Sequence, residues 1–480
     1  MSSPWLPILK FVKRYKTAFR QALRPKADRR FAPVLVVLLF GIVSLVSIPL
    51  GFADEGHHGK RKWVTSWAAS AHGPYPSGNA VAQPDLSFAF PSAQAGANDQ
   101  TFRLIVRPNL WSDTFRLRFS NVFGTEPITL NDVFLGLQAS AGTIVAGTNE
   151  RVTFGGNSIV TIQPGEYLWS DAVDQSYVKH WTTRLLEGKK LAVSFHVVGT
   201  SGLMTWHAKS RQTSYVTNPG AGSHSQDVLD QAFPNSTTSW YFLDAVDAKA
   251  SPDAFLVVAL GDSITDGTAS TLNGDDRWPD DLYRRLHARY GDKVSLVDEG
   301  IGGNQILGPA VYTPQQPFSG GPSAISRLDR DVFSLSGLSG IVWLEGINDL
   351  GANATADAVI GGIQQIVARI RQKRLKIVQA TITSSVGNTG GDGAPQVEPR
   401  RQTINAFIRT AGIFDSVADF DAATVDPATG SLRAEFLVNS TLGTIDHLHP
   451  NRAGYLAMSA TVDVNVLSPD DDRDEHDHDH

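Results

Sequence analysis

The chain has 480 residues, no cysteine, 41% hydrophobic residues and a formal net charge of -6, with slightly negative mean hydropathy. That composition excludes a fibrous, disulfide-stapled or multi-span membrane protein and leaves room for about three units of ordinary domain size. The charge is uneven: residues 1–30 carry nine Lys/Arg and one acid, residues 470–480 carry seven acids and one Arg, and the stretch between is mildly acidic, without the basic face a nucleic-acid partner needs.

Phe31 to Ala53 is a run of 23 residues without a charge, directly after the basic segment. This is the order of an export signal, with the cationic side retained in the cytoplasm. Small residues at Gly51 and Ala53 fit cleavage after Ala53, and the run also has the length of a single uncleaved membrane anchor. Either outcome predicts a secreted or periplasmic body, with the anchor as its one contact with the membrane.

From residue 63 to 250 the apolar pattern repeats every second residue. Phe102, Leu104 and Val106 alternate with Arg103, Ile105 and Arg107; Phe115, Leu117 and Phe119 alternate with Arg116, Arg118 and Ser120; Leu191, Val193, Phe195 and Val197 repeat the pattern. Half-buried antiparallel strands are expected, joined by turns rich in Gly, Asn, Asp and Pro into a β-sandwich or jelly roll. Seven of the ten Trp lie here (63, 67, 111, 169, 181, 206 and 240), and the aromatic core of such a sheet pair is their expected place.

From residue 252 to 468 the grammar changes. Short continuous apolar runs (Phe255 to Leu260, Val294 to Val297, Ile341 to Leu344, Ile377 to Ile382, Val417 to Phe420) alternate with helical stretches, one presenting Val359, Ile363, Ile366, Val367 and Ile370, another Ile404, Phe407 and Ile408. Strands buried on both faces and separated by helices predict an α/β fold, a parallel sheet in a three-layer sandwich whose ligand site lies at the carboxyl ends of the strands.

Three of those ends carry chemistry. The first is followed by Gly261-Asp262-Ser263-Ile264-Thr265-Asp266-Gly267, the second by Asp298-Glu299-Gly300-Ile301-Gly302-Gly303-Asn304 and the third by Gly346-Ile347-Asn348-Asp349; Asp446-His447-Leu448-His449-Pro450-Asn451 precedes a final helix. Acyl transfer needs a nucleophile, a base, a group that orients the base, and donors for the oxyanion. Ser263, on a tight strand-to-helix turn, supplies the hydroxyl. His449 supplies the base, and Asp446, three residues earlier, reaches its other nitrogen. The Ser263 and Gly303 N–H groups and the Asn348 amide are the candidate oxyanion donors. His447 is a surface or supporting residue, and Asp262, Asp266 and Asp349 are structural caps.

These four ordered blocks resemble the SGNH (GDSL) hydrolases, and the likeness covers about residues 255 to 467. It implies a flavodoxin-like catalytic domain, Ser263 as nucleophile and first oxyanion donor, Gly303 and Asn348 completing the hole, and Asp446 and His449 completing the triad. The family's second block begins with Asn where this chain has Asp298. A looser resemblance, carried by Trp63-Val64-Thr65-Ser66-Trp67-Ala68, Leu117-Arg118-Phe119-Ser120-Asn121, Ser239-Trp240-Tyr241-Phe242 and Arg277-Trp278-Pro279, is to secreted xylan-esterase-like members with a β-rich domain before the catalytic one. It implies carboxylic ester hydrolysis on carbohydrate. An acyltransferase, a lipase or an arylesterase would use the same triad, and a polysaccharide-binding protein with a vestigial triad is the non-enzymatic alternative. The glycine- and proline-rich loops 304 to 322 and 384 to 399 are candidate cleft walls. The tail from 469 to 480 reads as a solvated acidic terminus, and the triad calls for neither metal nor cofactor.

Overall fold

Alternating apolar residues build two antiparallel sheets from the first half of the chain, in a computed structural model that describes residues 60–180, 183–438 and 445–469. The export segment with Ala53, Trp181 and the tail beyond residue 469 lie outside the described residues. Of the longer strands, β1 (Lys62–Ala68), β2 (Asn98–Val106), β3 (Thr114–Ser120), β4 (Ile128–Ser140), β5 (Leu191–Thr200) and β6 (Leu243–Ala250) fall in this region. One sheet runs β1-β6-β3 and on to Tyr167–Trp169; the other has β2-β5-β4 at its centre, every pair antiparallel.

The two sheets meet through aromatic rings. Phe195 of β5 stacks on Phe102 of β2 at 5.3 Å and 6° and takes an edge contact from Phe119 of β3 at 5.1 Å. Trp67 and Trp240 meet edge to face at 4.9 Å, and Trp206 is buried in the same core. Trp63 and Trp169 instead carry the Arg116 guanidinium over their faces, at 4.7 and 4.2 Å.

The expectation of half-buried strands fails at the arginines. Arg103 and Arg118 are buried as completely as the phenylalanines beside them. Arg103 donates to Ser194 Oγ and the Gly142 carbonyl and lies over the Phe233 ring. Arg118 pairs with Asp244 at 2.6 Å and donates to Ser334 Oγ at 2.7 Å. The second partner belongs to the α/β region. The polar face of the β1-β6-β3 sheet is therefore not a solvent face: it docks on the second half of the chain, where Ser336 also bonds Asp247 of β6.

There, β7 (Phe255–Gly261), β8 (Val294–Gly300), β9 (Leu338–Leu344), β10 (Lys376–Ala380) and β11 (Ser416–Ala418) form a parallel sheet in the order β8-β7-β9-β10-β11. Alternate residues of β7 enter different apolar clusters. Leu256, Val258 and Leu260 join Val359, Ile363 and Ile366 of α2 (Ala356–Gln372) and Ile404 and Ile408 of α3 (Val397–Thr410). Phe255, Val257 and Ala259 join Trp278, Leu282 and Leu286 of α1 (Trp278–Tyr290) and Tyr455 and Met458 of α4 (Arg452–Ala460). Among the described residues no helix is long and apolar enough to cross a membrane.

Truncating the stacked centre tests this packing. Phe195→Ala should cost about 3–5 kcal/mol, read as a lowered urea midpoint by tryptophan fluorescence; an unchanged midpoint would contradict the ring cluster.

Candidate active site

Strand order brings the chemical blocks together. Because β7 lies between β8 and β9, the turn that carries Ser263 is flanked by the Gly303 loop on one side and the Asn348 segment on the other. At the end of β7 only glycine fits at 261: a Cβ there would stand 2.2 Å from Thr265 Oγ1 and 2.3 Å from the Leu344 carbonyl oxygen.

Ser263 does not open a helix, contrary to the expected strand-to-helix turn. Residues 262–277 run as successive turns and bends, and α1 starts only at Trp278. Asp262 Oδ1 takes the Ile264 N–H at 2.9 Å and the Asp262 carbonyl takes the Asp266 N–H, a single helical turn that is not continued: the Thr268 N–H returns to the Ser263 carbonyl, and Ala269, Asn273 and Asp275 have positive φ. Ser263 is 6% exposed, and a role as an ordinary helix cap is excluded by the missing helix.

The imidazole of His449 reaches it from the far end of the α/β region. His449 Nε2 lies 2.7 Å from Ser263 Oγ, and His449 Nδ1 lies 2.5 Å from Asp446 Oδ2. The other Asp446 oxygen accepts the backbone N–H groups of Leu448 and His449, both at 2.9 Å, so a single carboxylate fixes both the turn and the ring. With Asp446 accepting at Nδ1–H, Nε2 is left as the acceptor for the Ser263 hydroxyl. Burial opposes ionisation of Asp446, but the hydrogen bond and charge of His449, with the two backbone donors, hold its carboxyl down to about 2. His447 sits in the same turn with φ +55° and faces Gly387; the Ser263 hydroxyl is met by His449.

The other predicted residues are tied to one another. Asn348 Nδ2 donates to the carbonyl of Asn304, the residue after Gly303, at 2.9 Å. Gly303 itself has φ +83°, a conformation that favours glycine. Asp349 accepts the N–H groups of Ile306 and Leu307 at 2.8 and 2.9 Å, and Asp266 accepts that of Gly302 at 2.9 Å. Both carboxylates, with Asp262, serve as backbone ties, as expected of caps. Asn304 donates to the carbonyls of Gly320 and Pro322, closing the loop from 304 to 322 upon itself. Asp298 accepts the Gly300 N–H and pairs with Arg277 at 3.1 Å.

Several buried groups here carry no signal in the sequence. Arg327, wholly buried, donates to the carbonyls of Gly261 and Glu299, to Asn304 Oδ1 and to Ser70 Oγ. His207 and Lys209 of the β region face Asp266 at 3.2 and 3.7 Å. Glu345, at the end of β9, accepts from Trp343 Nε1 through one oxygen, while the other is buried without a partner among the described residues. Burial pushes the Glu345 carboxyl up to about 8, against the pull of Arg327, and raises Asp262 to about 7 and Asp349 to about 6. Burial also raises Asp298 to about 6, against Arg277.

Residues 259–457 match the GDSL-like Lipase/Acylhydrolase family. No curated protein matches the chain. Among solved structures, the chain is similar to a carbohydrate acetylesterase family member from Sinorhizobium meliloti (16% identity, TM-score 0.33, covering 43% of this chain and 94% of that one). It is also similar to the lipase/acylhydrolase from Enterococcus faecalis (20%, 0.33, 44% and 94%) and a GDSL-like lipase from Bacteroides thetaiotaomicron (18%, 0.31, 43% and 84%). At these identities and scores the likenesses say nothing about substrate.

The raised carboxyl of Glu345 should make stability fall as pH rises. Between the ordinary Glu value of 4.5 and about 8, folded Glu345 keeps a proton that the unfolded chain releases, so stability is lost as pH rises through that window. Glu345→Gln should lose less than wild type between pH 5 and pH 8, measured as urea midpoints; parallel curves would refute the assignment.

Proposed function

We propose that this carboxylic ester hydrolase, whose residues 259–457 form a domain of the GDSL-like lipase/acylhydrolase family, is an exported serine esterase that removes short acyl groups, acetyl above all, from carbohydrate. The observation that carries the reading is the unbroken chain Ser263 Oγ, His449 and Asp446, with contacts of 2.7 and 2.5 Å. Ser263 is the nucleophile, His449 the base, Asp446 the orienting carboxylate; the oxyanion donors are the Ser263 and Gly303 N–H groups and the Asn348 amide.

The steps follow from that arrangement. Ser263 Oγ attacks the ester carbon while its proton passes to His449 Nε2, and the carbonyl oxygen becomes an oxyanion held by the three donors. Collapse breaks the bond to the alcohol oxygen, which takes the proton from His449. Water then attacks the acyl-enzyme, giving its proton to His449, and the second collapse returns that proton to Ser263 as the carboxylic acid leaves. Asp446, ionised from about pH 2 upward, compensates the imidazolium formed in each half.

The finer features of the proposal rest on sequence pattern and packing. Export is supported by the basic segment followed by the uncharged run from 31 to 53. Helical side chains on both sides of the parallel sheet support the three-layer sandwich over 252–468, and the ring contacts between antiparallel sheets support a β-sandwich over 63–250. The xylan-esterase-like assignment rests on the short sequences at Trp63, Leu117, Ser239 and Arg277. The preference for short acyl groups rests on the same resemblance.

Ser263→Ala should abolish p-nitrophenyl acetate hydrolysis while the urea midpoint stays near that of wild type, and unchanged turnover would sink the nucleophile. Asp446→Asn, which leaves the ring in the wrong tautomer, should lower kcat roughly 10³–10⁴-fold. Over p-nitrophenyl esters of increasing length, turnover should be highest for acetate and accompany acetate release from acetylated xylan. A preference confined to long chains would overturn the carbohydrate reading.

A further inference from the structure

The peptide between Gly302 and Gly303 presents a mechanical problem. It carries the N–H assigned to the oxyanion, yet neither flanking residue has a side chain to hold the plane, and a Gly-Gly pair has the widest backbone freedom available. An oxyanion donor is effective only if it already points where charge will develop. Something outside the pair has to hold it.

One holding group comes from the β region and one from the α/β region. Asn79, an exposed residue of the segment joining β1 to β2, donates from Nδ2 to the Gly302 carbonyl at 2.6 Å. On the other side of the same residue, the Gly302 N–H is held by Asp266 Oδ2 at 2.9 Å. His207 and Lys209 face that carboxylate, and Lys209 Nζ also donates to Thr268 Oγ1 at 2.5 Å. The clamp is close-fitting: a Cβ on Gly302 would lie 2.6 Å from Lys209 Nζ, and one on Gly303 would lie 2.6 Å from Asn79 Nδ2.

A trans peptide is planar, with C=O and N–H on opposite edges. A donor fixed on the Gly302 oxygen therefore fixes the direction of the Gly303 N–H. Drawing electron density toward that oxygen also makes the N–H a better donor, since hydrogen bonds in series polarise one another. We infer that Asn79 is a positioning residue of the oxyanion hole, supplied by the β region, which sets the plane of the Gly302–Gly303 peptide for the transition state. The inference rests on Ser263 being the nucleophile and adds a catalytic duty to the β region.

The test uses the full chain with Asn79→Ala and Asn79→Asp. The second keeps the shape of the side chain and loses the N–H donor. Because Asn79 is exposed, both variants should keep the wild-type urea midpoint. With p-nitrophenyl acetate, kcat should fall about tenfold in both with KM within about twofold, the scale of a displaced rather than a deleted donor. Labelling of Ser263 by a fluorophosphonate should slow by the same factor, because the phosphonyl oxygen occupies the same hole. A wild-type kcat in Asn79→Ala, a wild-type kcat in Asn79→Asp, or a change confined to KM would each overturn the inference, the last by making Asn79 a substrate contact. Ser263→Ala in the same series separates the two readings. If it turns over normally, the nucleophile assignment falls; if it is inactive while Asn79→Ala behaves as wild type, only the positioning role falls.

Discussion

A single buried cation holds the reacting parts in register. Arg327 lies with no side-chain exposure beneath the strand ends, where an ionised group is stable only if nearly every N–H finds an acceptor. Its acceptors are the last residue of β7, the end of β8, the Asn304 amide of the Gly303 loop, Ser70 of the β region, and the Asp331 carboxylate one helical turn away. Moving any of these elements would leave part of the guanidinium unsatisfied. The cost of burying the charge thereby becomes a restoring force on the turn that carries Ser263, on the loop that carries Gly303, and on the seat of the β region. Ser70 extends the network by donating to Glu299, and Asp331 is shared with Arg330.

The β region depends on the same contact. Its Arg118, Arg116, Asp244 and Asp247 look in isolation like the solvent face of a sheet, but Arg118, Arg116 and Asp247 meet Ser334 and Ser336 of the α/β region, and Asp244 pairs with Arg118. Polar groups buried at such a boundary specify orientation more than they add stability, because each removed partner leaves an unpaired buried group. The two halves consequently have one arrangement in which Asn79, His207 and Lys209 arrive together at the Gly302 loop and Asp266.

What could be read from the sequence follows the range of the physics. Val359, Ile363, Ile366 and Ile370 declare a helix because their spacing repeats every turn, and Leu256, Val258 and Leu260 with their neighbours declare a strand buried on both faces. The Asp446 to His449 spacing is similarly local, and the turn it implies is present. The four blocks identify themselves because each is a contiguous signature, three at strand ends and the fourth just before the last helix. Arg103 and Arg118 were legible as strand residues but not as buried ones: alternation gives the side of the sheet and not what covers it. Arg327 and Ser70 are 257 residues apart, Asn79 and Gly302 223, and no local pattern marks a hydrogen bond formed over such a separation. The turn after β7 escaped for another reason. Gly-Asp-Ser looks like a helix entry, and Asp262 takes the Ile264 N–H as a cap would, but positive φ at Ala269, Asn273 and Asp275 breaks the turns that follow and defers the helix to Trp278.

The proposed nucleophile and base are held by opposite strategies. Ser263 sits at the end of a strand buried on both faces, and its turn is secured by Asp262 beside it and by side chains from distant parts of the chain, Arg327 beneath Gly261 and Lys209 against Thr268. His449 is secured almost wholly by its own neighbourhood, the Asp446 carboxylate accepting from the ring and from two backbone N–H groups within three residues. A base that takes and returns a proton twice per cycle needs its tautomer fixed more than its position, and a local turn does that without reference to the rest of the fold. A nucleophile that must meet the oxyanion hole proposed at three strand ends needs a fixed position relative to all of them. The chain accordingly commits its long-range buried polar network to Ser263 and the Gly303 loop, and leaves the orientation of His449 to a single carboxylate.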